Sequence, residues 1–311
     1  IMITLGFTTY RPEALTLEKS EKLKHDLVVL EEPQTPGFEE MLNKQLSIDD
    51  YLQLTDFAFA EYSQRNCRIM RELNAKGVKF QQIDPFMDEL VRIHEFFASE
   101  GTPEQIQQEP TLSVYRAERK WTARLLAFYD SSLKEEFGQV VLAVQDFARA
   151  DAERGALRDK MRAREIIQDH PEAEDLYVEA GYIHLSLLQE FLRHKIKPRI
   201  FYVLEPIYRK LCSRRQALAP GDRLTWLYLN HPQYVGSYAD LLAAQALIYN
   251  KIISKDELPT PANSFPHAQD EVECIGLVED LAYSSCQNLF KQIRSLSTNK
   301  AKEKLKQILE Q

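Results

Sequence analysis

The sequence has few cysteines, no long apolar run and no excess of basic residues, and each absence excludes a class of protein. Its four cysteines form no CxxC pair, which argues against a structural zinc site. No run approaches the roughly 20 apolar residues that a membrane-spanning helix needs. Lys and Arg number 39 against 47 Asp and Glu, and the two signs are interleaved along the chain. We therefore expect neither a nucleic-acid nor a membrane partner.

The spacing of the cysteines indicates free thiols in a reducing compartment. The apolar pattern predicts a single helix over Glu271–Leu296, which carries Cys274 and Cys286. At about 1.5 Å per residue these two cysteines lie roughly 18 Å apart, too far for a disulfide. The first predicted strand begins almost at residue 2, so we expect no signal peptide. The expected location is the cytoplasm.

Five short apolar runs predict an α/β fold with a mainly parallel sheet flanked by helices. The first two runs lack polar alternation, which is typical of parallel strands covered on both faces. Long additional helices and a helical C-terminal third are also predicted. The expected domains are 1–258, with a helical insertion around 116–168, and a helical segment 259–311 packed on it. The predicted strands are Ile3–Phe7, Asp26–Leu30, Val78–Ile83, Asp175–Gly181 and Arg199–Leu204.

An internal repeat relates two strand–helix–strand units. The first contains Gly6–Thr9 and then Val29–Glu31 before a proline; the second contains Gly181–His184 and then Val203–Glu205 before a proline. Gly6 to Glu31 spans 25 positions, and Gly181 to Glu205 spans 24. Self-similarity at matching spacing predicts two similar βαβ halves.

Polar side chains follow several of the predicted strands, where ligands bind in open α/β sheets. If the two repeats pack side by side, these groups meet in one cleft. Carboxylates beside an imidazole could hold a divalent metal or carry out acid–base chemistry. The residues at predicted strand ends are Thr9, Tyr10, Glu31, Glu32, Asp84, His184 and Glu205.

Three segments resemble one superfamily, the group that includes the haem-binding ChaN proteins, the erythromycin-esterase-like (EreA) hydrolases, the TraB proteins and the Tiki proteases. The first is the opening strand Leu5–Tyr10 with the later strand end Leu30–Glu32. The second is Arg158–Ala163, similar to a helical pattern of arginine, aspartate and a methionine next to alanine. The third is Gly181–His184, similar to the GxxH that follows the fourth strand. Together they span about two thirds of the chain.

The resemblance implies a hydrolase or a haem-binding protein, with one departure from the pattern. Relatives usually carry a histidine after the first strand, where this sequence has Thr9 and Tyr10. A Tiki-type metalloprotease would thereby lack an expected ligand, and an erythromycin-esterase-type enzyme would lack its catalytic imidazole. The pocket could therefore be retained for different chemistry, or for none.

The candidate residues fall into three roles, each with a structural alternative. His184 could instead cap the following helix, Arg158 could form a structural ion pair, and Asp84 could cap a helix before its proline. The candidates are His184, Glu31 and Tyr10 for catalysis; Arg158, Thr9 and Asp84 for cofactor binding; and Glu31, Glu32, His184 and Glu205 for a divalent metal.

Two functional hypotheses follow. In the first, the chain is a hydrolase, with or without a metal, that acts on a small-molecule or peptide substrate through His184, Glu31 and Glu205, while Arg158 holds an anion. In the second, the same cleft binds a cofactor or metabolite such as a tetrapyrrole without turnover, with haem as the alternative to a metal. A third hypothesis is a scaffold whose helical C-terminal third, from about residue 207, forms a homodimer.

Overall fold

A computed structural model describes residues 2–55, 59–170, 175–262 and 264–310. It confirms the predicted α/β fold, with a five-stranded, all-parallel sheet flanked by helices. The strand order is β3-β2-β4-β1-β5. The strands are β1 (Met2–Thr8), β2 (Leu27–Leu30), β3 (Lys79–Gln82), β4 (Asp175–Gly181) and β5 (Arg199–Tyr202).

Helices make up most of the rest of the described chain, with 3-10 turns at Pro12–Ala14 and Pro103–Gln105. The helices are α1 (Leu15–Lys22), α2 (Phe38–Leu42), α3 (Ile48–Gln53), α4 (Ala60–Asn74), α5 (Pro85–Ala98), α6 (Thr111–Lys134), α7 (Phe137–Asp169), α8 (Leu185–Arg193), α9 (Glu205–Cys212), α10 (Pro220–Asn230), α11 (Ser237–Ile252), α12 (Pro266–Val278), α13 (Tyr283–Ile293) and α14 (Thr298–Leu309).

The two βαβ units interlock in the sheet. The first runs from β1 through α1 to β2 and passes over β4; the second runs from β4 through α8 to β5 and passes over β1. The two crossovers leave the central β1–β4 pair in opposite directions. Because such crossovers are right-handed, α1 and α8 lie on opposite faces of the sheet.

Alternation along the strands sorts side chains between these two faces. Leu5, Leu176 and Val178 pack with Leu187 and Phe191 of α8 in one apolar cluster. The other face carries Val28, Leu30 and Tyr177, which pack with α2, α3 and α4. The same period of two fixes the direction of polar groups that follow each strand.

The described contacts divide the chain into two units. The first comprises Ile1–Val114, Ala156–Pro206 and Glu257–Phe265, and it contains the sheet. The second comprises Tyr115–Gly155, Ile207–Asp256 and Pro266–Gln311, and it is helical. This division differs from the expected boundary at 258. Part of the predicted insertion, the end of α7 from Ala156, belongs to the sheet unit.

Two predicted elements need correction. The single helix predicted over Glu271–Leu296 is wrong, since α12 ends at Val278 and α13 begins at Tyr283. The side-chain amide of Gln245 donates to the carbonyls of Glu279 and Leu281, at 3.0 and 3.1 Å, and so satisfies the turn between the helices. The strand predicted to Leu204 ends at Tyr202, and Glu205 begins helix α9.

Two further expectations are that the cysteines are free and that no helix spans a membrane. All four cysteines are free. Within the described ranges, no helix combines the length and apolar character needed to cross a bilayer.

Candidate functional site

The candidate site lies where the two crossovers diverge, beyond the carboxyl ends of β1, β2 and β4. Such a switch point in an open parallel sheet leaves a crevice between the loops that leave in opposite directions. Tyr10 follows β1, Glu31 follows β2, and Gly181 ends β4 with His184 three residues later. Since β2 and β1 both pair with β4, their ends are neighbours.

The Glu31 carboxylate is at the centre of this site and is 5% exposed. Oε2 accepts hydrogen bonds from the Gly181 amide at 2.7 Å and from the Tyr10 hydroxyl at 2.5 Å. Oε1 lies 2.8 Å from Nε2 of His184 and 3.0 Å from Nη2 of Arg158. Burial alone would raise the pKa of Glu31, but His184 and the arginines hold it well below its usual value. Glu31 is therefore an ionised carboxylate.

His184 lies between two carboxylates at the start of α8. Nδ1 is 2.5 Å from Oδ1 of Asp159, and Nε2 is 2.8 Å from Glu31. Because ionised carboxylates only accept hydrogen bonds, both ring nitrogens act as donors, which is the imidazolium form. Burial lowers the pKa of His184, but Glu31 and Asp159 together raise it to about 10. The side chain makes no capping hydrogen bond to α8, so the helix-cap alternative does not describe it.

Asp159 on α7 orients the imidazolium, and the sequence did not identify it as a site residue. Its carboxylate is 1% exposed; it also accepts hydrogen bonds from the Ser186 hydroxyl and, at 3.0 Å, from the Leu187 amide. These donors belong to the first turn of α8, whose amide groups have no partner within the helix. Asp159 thus fixes both the ring of His184 and the start of α8.

Arg158 connects Glu31 with Asp84. Its Nε donates to Oδ2 of Asp84 at 2.8 Å, and its Nη2 contacts both carboxylates. Asp84 also accepts a hydrogen bond from the Met87 amide at 3.2 Å and caps α5. Arg158 thus forms an ion pair and Asp84 a helix cap. The Arg158 guanidinium is 15% exposed and reaches the edge of the site.

Arg162, one turn further along α7, is a second functional candidate that the sequence did not identify. It is 1% exposed, and it donates to the carbonyls of Ile83 and Glu179 at 2.9 and 2.6 Å. Its Nη2 is buried without a hydrogen-bond partner among the described residues. The i, i+4 spacing from Arg158 was the available signal, because it puts both guanidinium groups on one helix face.

Tyr10 follows β1, and its φ of 50° is unusual for a residue other than glycine. This backbone directs the phenol to Glu31. Burial, with Glu31 and Glu179, raises the pKa of Tyr10 well above 10, so the phenol stays a donor. Thr9, the other candidate at this strand end, has a buried hydroxyl without a hydrogen-bond partner in the described chain.

Glu32 and Glu205 do not share the position of Glu31. Glu32 is the next residue after Glu31 and turns to the other face, where its carboxylate accepts a hydrogen bond from the side-chain amide of Gln82 at 3.0 Å. Burial raises the pKa of Glu32 above its ordinary value. Glu205 is the first residue of α9 rather than the end of a strand. Of the four predicted metal ligands, the structure therefore brings Glu31 and His184 together.

The contacts of the His184 nitrogens affect whether this residue can bind either predicted cofactor, a divalent metal or haem. Zinc and haem iron bind imidazole through a nitrogen lone pair, and here each nitrogen of His184 faces a carboxylate. Among the described residues, no group of three or more His, Cys, Asp or Glu side chains is arranged to hold a metal ion. The arrangement instead resembles an acid–base pair with an orienting carboxylate.

Two open grooves flank the loop that follows Glu31. One has a volume of about 570 Å³ and lies beside the ends of β2 and β3, with Gly37, Phe38 and Gln82 in its wall. The other has a volume of about 450 Å³ and lies between α5 and α7, with Pro85 and Met161 in its wall. Gln34 lines both grooves, whereas Glu31, His184 and Arg158 line neither of these two.

Comparison with other proteins gives one full-length relative. The chain is 27% identical over 285 residues to an uncharacterized protein of Archaeoglobus fulgidus, across 91% of this chain and 96% of the other. No protein-family model matches the chain, and no solved structure matches it.

Proposed function

We propose that this chain is a hydrolase that cleaves an ester or amide bond with Glu31 as general base and His184 as general acid. The observation that carries the proposal is the buried contact of 2.8 Å between Glu31 and Nε2 of His184, with Asp159 behind the ring. The resemblance to the ChaN and erythromycin-esterase-like superfamily supports it, since both residues lie in the matching segments.

The pair is ionised in the form that this chemistry needs. Glu31 is a carboxylate and His184 an imidazolium at every pH between their two pKa values. A water molecule gives a proton to Glu31 as its oxygen attacks the substrate carbonyl. His184 then protonates the leaving oxygen or nitrogen as its bond to carbon breaks.

The contact between the two residues also closes the cycle. After bond cleavage Glu31 carries a proton and His184 lacks one. The proton passes from Oε1 to Nε2 across the same 2.8 Å contact, and this transfer restores the starting charges. Asp159 keeps the ring in place throughout.

Tyr10 and Arg158 are suited to stabilise the oxyanion that forms. In the resting site Tyr10 donates a hydrogen bond to Glu31 and Arg158 forms an ion pair with it, and Tyr10 is half-buried. When a substrate carbonyl accepts a hydrogen bond from the Tyr10 hydroxyl, Glu31 loses that hydrogen bond. The loss raises the basicity of the Glu31 carboxylate. In this proposal the phenol serves where relatives have a histidine.

The second candidate function is a protein that binds an anionic metabolite without turnover. Arg162 favours it, because a buried guanidinium N–H without a partner in the described chain can donate a hydrogen bond to a carboxylate or phosphate oxygen. Native mass spectrometry of the purified protein would detect such a ligand.

A panel of activated esters and short peptides tests the catalytic proposal. Glu31→Gln and His184→Gln should each lower kcat/KM by about 10²–10⁴-fold, the usual contribution of general acid–base catalysis. Glu32→Gln is the matched control; it alters the adjacent carboxylate on the other face and should leave kcat/KM within about twofold. Equal losses in Glu31→Gln and Glu32→Gln would favour the four-ligand metal site instead. Wild-type protein that turns over no substrate on the panel would count against a hydrolase.

A further inference from the structure

Helix α6 in the helical unit has an exposed apolar stripe along one face. Leu126, Tyr129 and Leu133 are 61%, 55% and 77% exposed. Their spacing of three and four residues places them on the same side of the helix. We name these three residues the α6 stripe.

The packing of α6 within its own unit uses other residues. Trp121 and Phe128 pack on Phe147 of α7, with ring centroids 5.8 and 6.3 Å away. The indole of Trp121 donates to Asp151 at 2.9 Å. The α6 stripe is therefore not the side by which α6 attaches to α7, and its exposure needs another explanation.

Charge along α6 is divided between its two ends. The part of α6 before Leu126 carries four basic residues and one acid, Glu118, while the end of the helix and the two residues after it carry three acids and one base, Lys134. A segment with this polarity attracts a second copy of itself in the antiparallel direction, since each basic half then lies beside an acidic end. The four basic residues are Arg116, Arg119, Lys120 and Arg124, and the three acids are Asp130, Glu135 and Glu136. Of these, Lys120, Arg124 and Asp130 also form ion pairs within the subunit, so Arg119 and Glu136 are the pair that the proposal uses.

We propose that two copies of this chain form a homodimer by antiparallel pairing of α6. A dyad midway between Leu126 and Tyr129 places Leu126 opposite Tyr129 of the partner subunit. It also places Thr122 opposite Leu133 of the partner subunit, and Arg119 opposite Glu136 of the partner subunit. One register thus pairs Leu126 with Tyr129 across the dyad and places opposite charges together at both ends, as a two-fold interface requires.

The size of the stripe sets the expected affinity. The three side chains leave an exposed apolar patch of roughly a few hundred Å² per subunit, about the size of the largest such patch on a typical monomer. A stable interface of standard size buries about 800 Å² per partner, more than the three side chains alone supply. The dimer should therefore be weak and reversible.

Sedimentation velocity of the full chain between about 1 and 200 µM tests this surface. The wild type should pass from monomer to dimer across this range, and Leu126→Glu with Leu133→Glu should remain monomeric throughout. Val235→Glu is the matched control, because Val235 is 86% exposed on a loop outside α6. This variant should dimerise like the wild type. Unchanged far-UV circular dichroism in the double variant separates loss of the interface from loss of the fold.

A charge swap tests the register. Arg119→Glu or Glu136→Arg alone should weaken the dimer by about tenfold or more, because each brings like charges together at both ends of the interface. The two changes combined should restore it. A wild type that stays monomeric at 200 µM, a double-Glu stripe variant that still dimerises, or a charge swap without restoration would each overturn the proposal.

Discussion

Replacing His184 with Gln should remove a specific part of the pH dependence of folding stability. In the folded chain the pKa of His184 is about 10, because Glu31 and Asp159 overcome the effect of burial. In the unfolded chain an imidazole titrates near 6.5. Folding therefore holds a proton on His184 at pH values where the unfolded chain has released it.

The sign and size of the effect follow from proton linkage. The stabilisation is fully present below about pH 6.5, and it is lost as the pH rises toward 10. Between these limits the folded state binds one more proton, so this group lowers the free energy of unfolding by about 1.4 kcal/mol per pH unit. From pH 7.5 to 9 that amounts to about 2 kcal/mol.

Urea denaturation at several pH values between 7.5 and 9 measures this slope. The wild type should lose stability more steeply with pH than His184→Gln, with a difference of about 1.4 kcal/mol per unit. His94→Gln, which removes an exposed imidazole from α5, should keep the wild-type slope. Parallel slopes for wild type and His184→Gln would refute the imidazolium and, with it, the ion pair.

Two further predictions concern the face of the sheet that carries α1. Lys22 is 1% exposed and contacts Glu18 at 2.9 Å and Glu179 at 2.8 Å, so Lys22→Met should cost about 3–5 kcal/mol in urea denaturation. Lys24→Met, which removes an exposed lysine paired with Glu21, should cost less than about 1 kcal/mol; similar losses for both lysines would show that burial does not set the cost. A Cβ on Gly6 would lie 2.0 Å from the buried Tyr177 hydroxyl, so Gly6→Ala should destabilise the fold by about 1–3 kcal/mol in the same assay. Adding Tyr177→Leu to Gly6→Ala should recover most of that loss, and no recovery would point to a cause other than this clash.

The fold and the convergence of strand ends follow from local patterns in the sequence. The apolar runs predict the strands closely, and β4 has the bounds predicted for it. Strand alternation also separates Glu31 from Glu32, because consecutive residues point to opposite faces. The alternation along β2 therefore predicts that Glu31 and Glu32 point to opposite faces and would not bind the same metal ion.

The rest of the site depends on long-range contacts that no local pattern reveals. Asp159 lies on a long helix rich in charged residues, where an aspartate usually faces solvent. It is buried because the Ser186 hydroxyl and the Leu187 amide of α8 donate hydrogen bonds to it, from 27 and 28 residues further along the chain. The break between α12 and α13 likewise depends on Gln245 from α11. Glu205 matched the repeat in sequence, but β5 ends before it.

The pH dependence of kcat/KM for hydrolysis tests the Glu31–His184 pair most directly. A carboxylate base and an imidazolium acid are both in their working forms between the two pKa values, so the profile should be flat through neutrality. It should fall toward pH 10 and, on the acid side, as Glu31 takes up a proton. A neutral histidine acting as general base would give a rate that rises through about pH 6.5. A rise of that kind in the wild type would contradict the ionised pair.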